Sequence, residues 1–253
     1  MNFSKNIQKK IKWSVSYLFF LLITLTLISI CIANYWYNPI WFGPLDARRY
    51  ILYFFSMLMV TGPGLVFLLI NENKSKKGIF FDSALIIIIQ FFILFAGVKW
   101  IYDQRPIILV YEKDRFVLLK ASEIDEKLIS LAPIELQDVE TSRRNILVAA
   151  TRDPLTGEEM LQGFKLSMDG ISPAYRPNWW INYSSLNKEY YEKYKKNYKN
   201  MKNSSNLLFF NKKLIREEGD YFPLVTSNNE NWGVLLSESK ELIGIFKCEE
   251  YCY

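Results

Sequence analysis

Three long apolar runs constrain this chain more than any other feature. They cover residues 13–33, 50–70 and 79–100, and the only charges within them are Asp82 and Lys99 near the two ends of the third run. About 20 apolar residues in a helix span the ~30 Å hydrocarbon core of a bilayer, and a charge near a helix end can reach the headgroups. A cleaved signal peptide is the alternative for the first run, but its apolar stretch is longer than the usual ~7–15 residues. The sequence therefore predicts three transmembrane helices.

The positive charges between these runs predict their orientation. Residues 1–12 carry four lysines and residues 71–78 carry three, whereas residues 34–49 carry only two arginines. Short loops rich in Lys and Arg stay in the cytoplasm. In a bacterium, the N-terminus is then expected in the cytoplasm, the helices in the inner membrane, and everything beyond the third span in the periplasm.

Residues 103–253 contain short β-rich and helical segments separated by polar turns, which predicts an α+β domain. Two β-rich runs, 106–111 and 116–119, are joined by a short polar turn, and a second hairpin is expected over 231–236 and 242–246. The other expected elements are a strand at 221–225, a strand or short helix at 146–150, and helices at 121–134 (capped by Ser122), 158–165 and 186–201. The fold class is thus a membrane protein with a transmembrane domain at 1–102 and a periplasmic domain at 103–253, which at ~150 residues is large enough to hold one core.

The composition argues against catalysis. The chain has no histidine, which removes Ser-His-Asp triads, Cys-His pairs and histidine-containing metal sites. The glycines form no phosphate-binding pattern. Residues 1–102 carry 10 − 3 = +7 charges and the rest 21 − 23 = −2, so the positive charge flanks membrane spans and does not predict nucleic-acid binding. No catalytic residue, metal or cofactor is expected, and the chain is predicted not to be an enzyme.

Four residues inside the second apolar run form a candidate contact with the helix of a partner. Pro63 removes one backbone hydrogen-bond donor from the helix, and Gly62 and Gly64 beside it permit another helix to approach closely. Thr61 precedes them. The alternative interpretation is a kink that only fits the chain's own helices together.

Two further groups of residues are candidates outside the membrane. Cys248 and Cys252 are four positions apart, and an oxidising compartment would favour a disulfide between them, the alternative being two free thiols. A run that mixes aromatic and basic residues, 190–199, favours a solvated helix or a protein contact over stacking on nucleic acid or sugar. Its tyrosines are Tyr190, Tyr191, Tyr194 and Tyr198.

Several segments together resemble the TfpX/TfpZ family of type IV pilin accessory proteins, and they extend over nearly the whole chain. They are Tyr35-Trp36-Tyr37-Asn38-Pro39, Gly62-Pro63, the run from Lys76 to Asp82, Arg105-Pro106, the run from Val110 to Phe116, Arg176-Pro177, and Trp232-Gly233 through Gly244. One departure is Leu58, where family members often carry an acidic residue.

The resemblance implies a pilin-specific accessory protein or chaperone. Such a protein would stabilise its cognate type IV pilin in the inner membrane and promote pilus assembly. Its expected partners are the cognate major pilin, the lipid bilayer and other pilus assembly components, without nucleic acid. The alternatives are a membrane sensor with a periplasmic ligand-binding domain and a pilin-modifying membrane enzyme.

Overall fold

The structure is a computed structural model, and it forms two compact units. It describes residues 2–37, 39–69, 74–138, 146–186, 188–197, 207–209, 220–226, 231–237 and 239–248. The first unit comprises residues 1–36 and 47–103, and the second comprises residues 37–46 and 104–253.

The first unit consists of three helices, each long and apolar enough to cross a membrane. They are α1 (Asn2–Tyr35), α2 (Ala47–Leu69) and α3 (Lys76–Asp103). Most of their large apolar side chains are exposed in the unit, as expected for helices that face hydrocarbon. The three predicted spans are confirmed, and the chain is a membrane protein.

Small residues let these helices pack closely. A Cβ atom at Gly97 of α3 would overlap the ring of Phe54 on α2, so only glycine fits beside this ring. One turn further along α2, Leu58 packs against Leu21 and Leu25 of α1 and is only 1% exposed. Without a hydrophobic driving force in lipid, this close packing holds the helices together.

In the residues that the structure describes, the second unit is an α+β fold around one mixed sheet of nine strands. The strand order is β4-β3-β1-β2-β7-β8-β9-β6, and β5 pairs with β7. The strands are β1 (Pro106–Glu112), β2 (Arg115–Lys120), β3 (Leu147–Thr151), β4 (Trp180–Asn182), β5 (Lys196–Asn197), β6 (Leu207–Phe209), β7 (Asp220–Val225), β8 (Trp232–Leu236) and β9 (Leu242–Lys247). The helices are α4 (Glu126–Ile129), α5 (Ile134–Gln137), α6 (Gly157–Met168) and α7 (Lys188–Tyr194). Both predicted hairpins, β1–β2 and β8–β9, are confirmed.

Two predicted helices are wrong in extent. The helix expected over 121–134 is instead a 3-10 turn followed by α4 and α5, because Pro133 stands between the two short helices. The cap of α4 is Asp125, whose carboxylate accepts from the Lys127 amide at 3.0 Å, and not Ser122. The helix expected over 186–201 is the shorter α7, since the chain then joins the sheet as β5.

The core lies on both faces of the central strands. Every residue of β1 is buried, because β1 is flanked by β2 and β3 and covered on both sides. One face holds an aliphatic cluster that includes Ile108, Val110 and Trp180. The other face holds aromatic rings, with Tyr111 and Phe222 at a centroid distance of 5.3 Å. β1 therefore reads as a continuous hydrophobic run, as strands buried on both faces do.

The segment between the first two spans belongs to the second unit. Residues 37–46 cluster with the sheet, and a Cβ atom at Gly43 would lie 2.6 Å from Cη2 of Trp232 in β8. Tyr37, Trp41 and Leu45 are each at most 3% exposed. This segment is therefore part of a folded unit and not merely a connection between helices.

Candidate functional site

Helix α6 carries most of its large apolar side chains on the surface of the second unit. Thr156 caps its N-terminus by accepting from the Glu159 amide at 3.1 Å, which stabilises the first turn. The exposed side chains are between 66% and 77% accessible, and they are Leu155, Met160, Leu161, Phe164 and Met168. A contiguous apolar surface of this kind marks a site of interaction in a folded domain.

Only one residue of α6 is buried, and it is Gly163. A Cβ atom at this position would lie 2.5 Å from Cη2 of Trp179, closer than two carbon atoms can approach. The helix therefore rests on the edge of the Trp179 indole through a glycine. This contact turns the apolar side chains of α6 outward, because the side of the helix that faces the sheet has no room for them.

A buried guanidinium lies beneath this contact. Arg176 is only 4% exposed, and its Nη2 donates to the backbone oxygens of Ile171 at 2.6 Å and Gly163 at 3.3 Å. Its guanidinium carbon is 4.8 Å from the centroid of the Trp179 ring, a cation–π arrangement. Burial lowers the pKa of Arg176, while the nearby Glu112 carboxylate opposes that shift. Arg176 thus fixes both Trp179 and the C-terminal half of α6 from below.

A groove of about 700 Å³ lies between α6 and the ends of β1 and β3. Its size falls within the range of ligand-binding pockets, roughly 300–1,000 Å³. The lining is mainly apolar and includes Tyr111, Met160, Phe164, Trp179, Ile181 and Leu186. Because Met160 and Phe164 line the groove and are also exposed, the groove and the outward side of α6 form one continuous apolar surface, which we call the α6 surface.

An ion pair fixes the end of the α6 surface nearest to β3. Arg152 donates through both terminal nitrogens to the two carboxylate oxygens of Glu159, each at 2.9 Å. The Leu155 amide donates to the same carboxylate at 2.8 Å. The bonds from Arg152 and from the Leu155 amide lower the pKa of Glu159 to about 2, and the bond to Glu159 raises the pKa of Arg152. The first turn of α6 is therefore tied to the end of β3.

The tyrosines predicted to contact a partner differ in how deeply they are buried. Tyr191 is 2% exposed, its ring lies 5.3 Å from that of Phe222, and its hydroxyl donates to Asp220 at 3.4 Å. Burial raises the pKa of Tyr191. Tyr191 is thus a core residue, and Tyr194 is half-buried with the Lys193 amine 5.3 Å from its ring. The side chain of Tyr190 and all of Tyr198 lie outside the described residues.

In the predicted transmembrane contact, Thr61 and Gly62 are used within the first unit. Thr61 Oγ1 accepts from Gln90 Nε2 at 3.2 Å and donates to the backbone oxygen of Met57 at 2.8 Å. Gly62 is buried, and a Cβ atom there would lie 2.7 Å from Cε1 of Tyr17. These two residues therefore pack α2 against α1 and α3.

Gly64 lies on a side of α2 that does not face the other two helices. A Cβ atom at Gly64 would meet no atom within 4 Å, and its neighbours one turn away, Val60 and Leu68, are 73% and 72% exposed. α2 continues through Pro63 to Leu69. The row Val60–Gly64–Leu68 is thus the side of α2 that remains open in this unit.

The predicted disulfide is described on one side only. Cys248 is buried, and its amide donates to the Asn231 oxygen at 2.9 Å. Cys252 lies outside the described residues, so the pairing stays a prediction, while Cys31 in α1 is a free, exposed thiol. Within the described part of the chain, no group of three or more Cys, Asp and Glu side chains is placed to hold a metal ion.

Sequence reasoning predicted α6 but missed its surface. Met160, Phe164 and Met168 recur at intervals of four, which is the signal of an apolar helix stripe. That signal ordinarily indicates the side that faces a core. Only Gly163, between these positions, hinted that another side of the helix packs inward.

Comparison with known proteins gives two related matches. The chain is 27% identical over 195 residues to a fimbrial assembly protein, serogroup I, of Dichelobacter nodosus, covering 74% of this chain and 75% of that protein. It is also 27% identical over 188 residues to a fimbrial assembly protein, serogroup E1, of the same organism, covering 72% of each. No protein-family model matches the chain, and no solved structure matches it. The chain is thus similar to fimbrial assembly proteins over nearly three quarters of its length.

Proposed function

We propose that this protein is a pilin-specific accessory protein of the inner membrane, which stabilises its cognate type IV pilin and promotes its assembly. The similarity to two fimbrial assembly proteins over nearly three quarters of the chain supports a role in pilus assembly. The proposal that the protein binds a pilin directly depends on the α6 surface. An apolar surface outside the membrane spans is typical of a protein that binds another protein.

The proposed topology has the N-terminus in the cytoplasm and the second unit in the periplasm, and the distribution of Lys and Arg supports it. The fold adds support. Residues 37–46 and 104–253 form one unit, so both must lie on the same side of the membrane, as three spans require. A pilin awaiting assembly has an apolar helix in the membrane and a folded head outside it. The open row of α2 and the α6 surface would offer one contact for each part.

The proposed role is binding and involves no catalytic step. The chain contains no histidine, and the tight ion pair of Glu159 keeps this carboxylate ionised near neutral pH. Such a carboxylate is a poor general acid or base near pH 7, because catalysis favours a pKa close to the working pH. The α6 surface is therefore better suited to complementarity with a partner.

The test is a deletion of the gene in its own host, with expression of the full chain from a plasmid as the control. We expect the deletion to lower the steady-state amount of the cognate pilin and to abolish surface pili, and the plasmid to restore both. A second pilin, from a strain with a different accessory protein, should gain nothing from this chain. Unchanged pilin level and unchanged piliation in the deletion strain would refute the proposal.

A further inference from the structure

We propose that the α6 surface binds a segment of the pilin outside the membrane, and that this segment presents apolar side chains bordered by basic residues. The inference rests on the proposed function and deepens it by assigning the binding site. Three properties of the surface favour this occupant, namely its shape, its charge and its rigidity.

The shape of the surface favours a polypeptide over lipid. The groove of about 700 Å³ beside α6 is concave, and a side chain of a protein can enter it, whereas the flat boundary of a bilayer leaves it empty. Met160 and Phe164 stand at its border and are both about two-thirds exposed. Methionine adapts to irregular apolar partners, and an aromatic ring supplies a large contact area at low entropic cost.

The charge of the surface also separates the two occupants. Helices that lie on membranes are rich in Lys and Arg on their polar side. Residues 152–169, together with Glu112 and Lys113 of the groove lining, instead contain three basic and five acidic residues, a net charge of 3 − 5 = −2. The basic residues are Lys113, Arg152 and Lys165, and the acidic residues are Glu112, Asp153, Glu158, Glu159 and Asp169. An acidic border around an apolar centre is complementary to an apolar segment with basic flanks, and it directs partner choice more than it adds affinity.

The surface is also formed before the partner arrives. The Thr156 cap and the Arg152–Glu159 pair fix the first turn of α6, and the contact of Gly163 with Trp179 fixes its middle. A preformed surface loses little conformational freedom on binding, so more of the contact energy appears as affinity. Phe164, at the border of the groove and close to Gly163 in sequence, is the residue expected to contribute most.

The experiment uses a photo-crosslinking residue at position 160 of the full chain, in cells that make the cognate pilin. Phe164→Glu is the test variant and Ile134→Glu is the matched control, because Ile134 is 83% exposed in the same unit but does not line the groove. We expect a pilin adduct at position 160 that falls at least about tenfold in Phe164→Glu, as at an interface hot spot, and stays within about twofold in Ile134→Glu. Glu158→Lys should lower the adduct as well, because it places a positive charge against the partner's basic flanks, and an unchanged adduct would refute those flanks.

The outcomes separate this site from the proposed function. Adducts at position 160 only to lipid, or only to a second copy of this chain, would overturn the site, as would equal pilin adducts in the test and control variants. If deletion of the gene abolishes pili while Phe164→Glu restores them fully, the site fails and the proposed function stands. If the deletion itself leaves piliation unchanged, the proposed function fails.

Discussion

Replacing Gly163 by alanine tests whether α6 is held by its close approach to Trp179. In an unconstrained helix this change stabilises by about 1 kcal/mol, because alanine has the higher helix propensity. Here the new methyl group would lie 2.5 Å from Cη2 of Trp179 and 3.3 Å from Nη1 of Arg176. The two partners are themselves stacked and buried, so they have little room to move away.

The magnitude follows from these two opposing terms. Over-packing a buried site by one methyl group costs about 1–3 kcal/mol, and the gain in helix propensity offsets about 1 kcal/mol of it. The net cost is then about 0–2 kcal/mol for holding α6 against the sheet. Since 1.4 kcal/mol corresponds to a factor of ten, amide hydrogen exchange in α6 should become faster by up to about 30-fold.

The assay is hydrogen exchange with mass spectrometry on the full chain in lipid nanodiscs, followed on peptides that cover Gly157–Met168. Gly157→Ala is the matched control, because a Cβ atom there meets nothing within 4 Å, and its exchange should be unchanged or slower. Trp179→Phe removes the ring atoms nearest to the new methyl group, so it should suppress part of the effect in the double variant. If Gly163→Ala slows exchange as much as the control does, the contact between Gly163 and Trp179 does not hold the helix in place.

Three further predictions concern other parts of the chain. Gly62→Ala should weaken the helical unit by about 1 kcal/mol after the gain in helix propensity is subtracted from the cost of over-packing, whereas Gly64→Ala should leave its resistance to detergent-induced unfolding unchanged or slightly higher, and equal effects would contradict the assignment of the two faces. The pKa of Glu159 is lowered from its ordinary value of 4.5 to about 2, so its stabilisation of α6 is present above the ordinary value and is lost as pH falls towards 2. Exchange in α6, corrected for intrinsic rates, should rise over that window in the natural protein and remain flat in Glu159→Gln. Alkylation before and after reduction of the unfolded chain should label one and then all three of the cysteines if Cys248 and Cys252 are bonded, and three labels before reduction would exclude the bond.

The sequence predicted those elements that are encoded locally. The spans follow from the length of uninterrupted apolar runs, and the hairpins follow from β-rich runs separated by short polar turns. The β1–β2 hairpin turns within Lys113 and Asp114, and Lys113 adopts a positive φ of 54°. Such signals depend on neighbouring residues, and in these elements the tertiary contacts agree with them.

The remaining features depend on distant residues. Tyr191 looks like a surface residue in its lysine-rich run, but Phe222 and Asp220 draw it into the core. Residues 37–46 look like a connection between spans, but Gly43 fits against Trp232, almost 190 positions later in the chain. A single sequence does not indicate which distant residue fills a given space, so these placements required the structure.

The orientation of α6 shows how one small residue reverses an expected pattern. A stripe of methionine and phenylalanine ordinarily points inward because burial of apolar surface drives folding, yet α6 contacts Trp179, the residue before β4, through Gly163 and presents that stripe outward. The same division recurs in α2, where Gly62 packs within the unit and Gly64 lies on the open side. In each helix, the glycine that packs against the rest of its unit lies on a different side from the apolar surface that stays exposed. Changes at the two seating glycines should therefore affect stability and partner binding together, whereas changes on the open sides should affect partner binding alone.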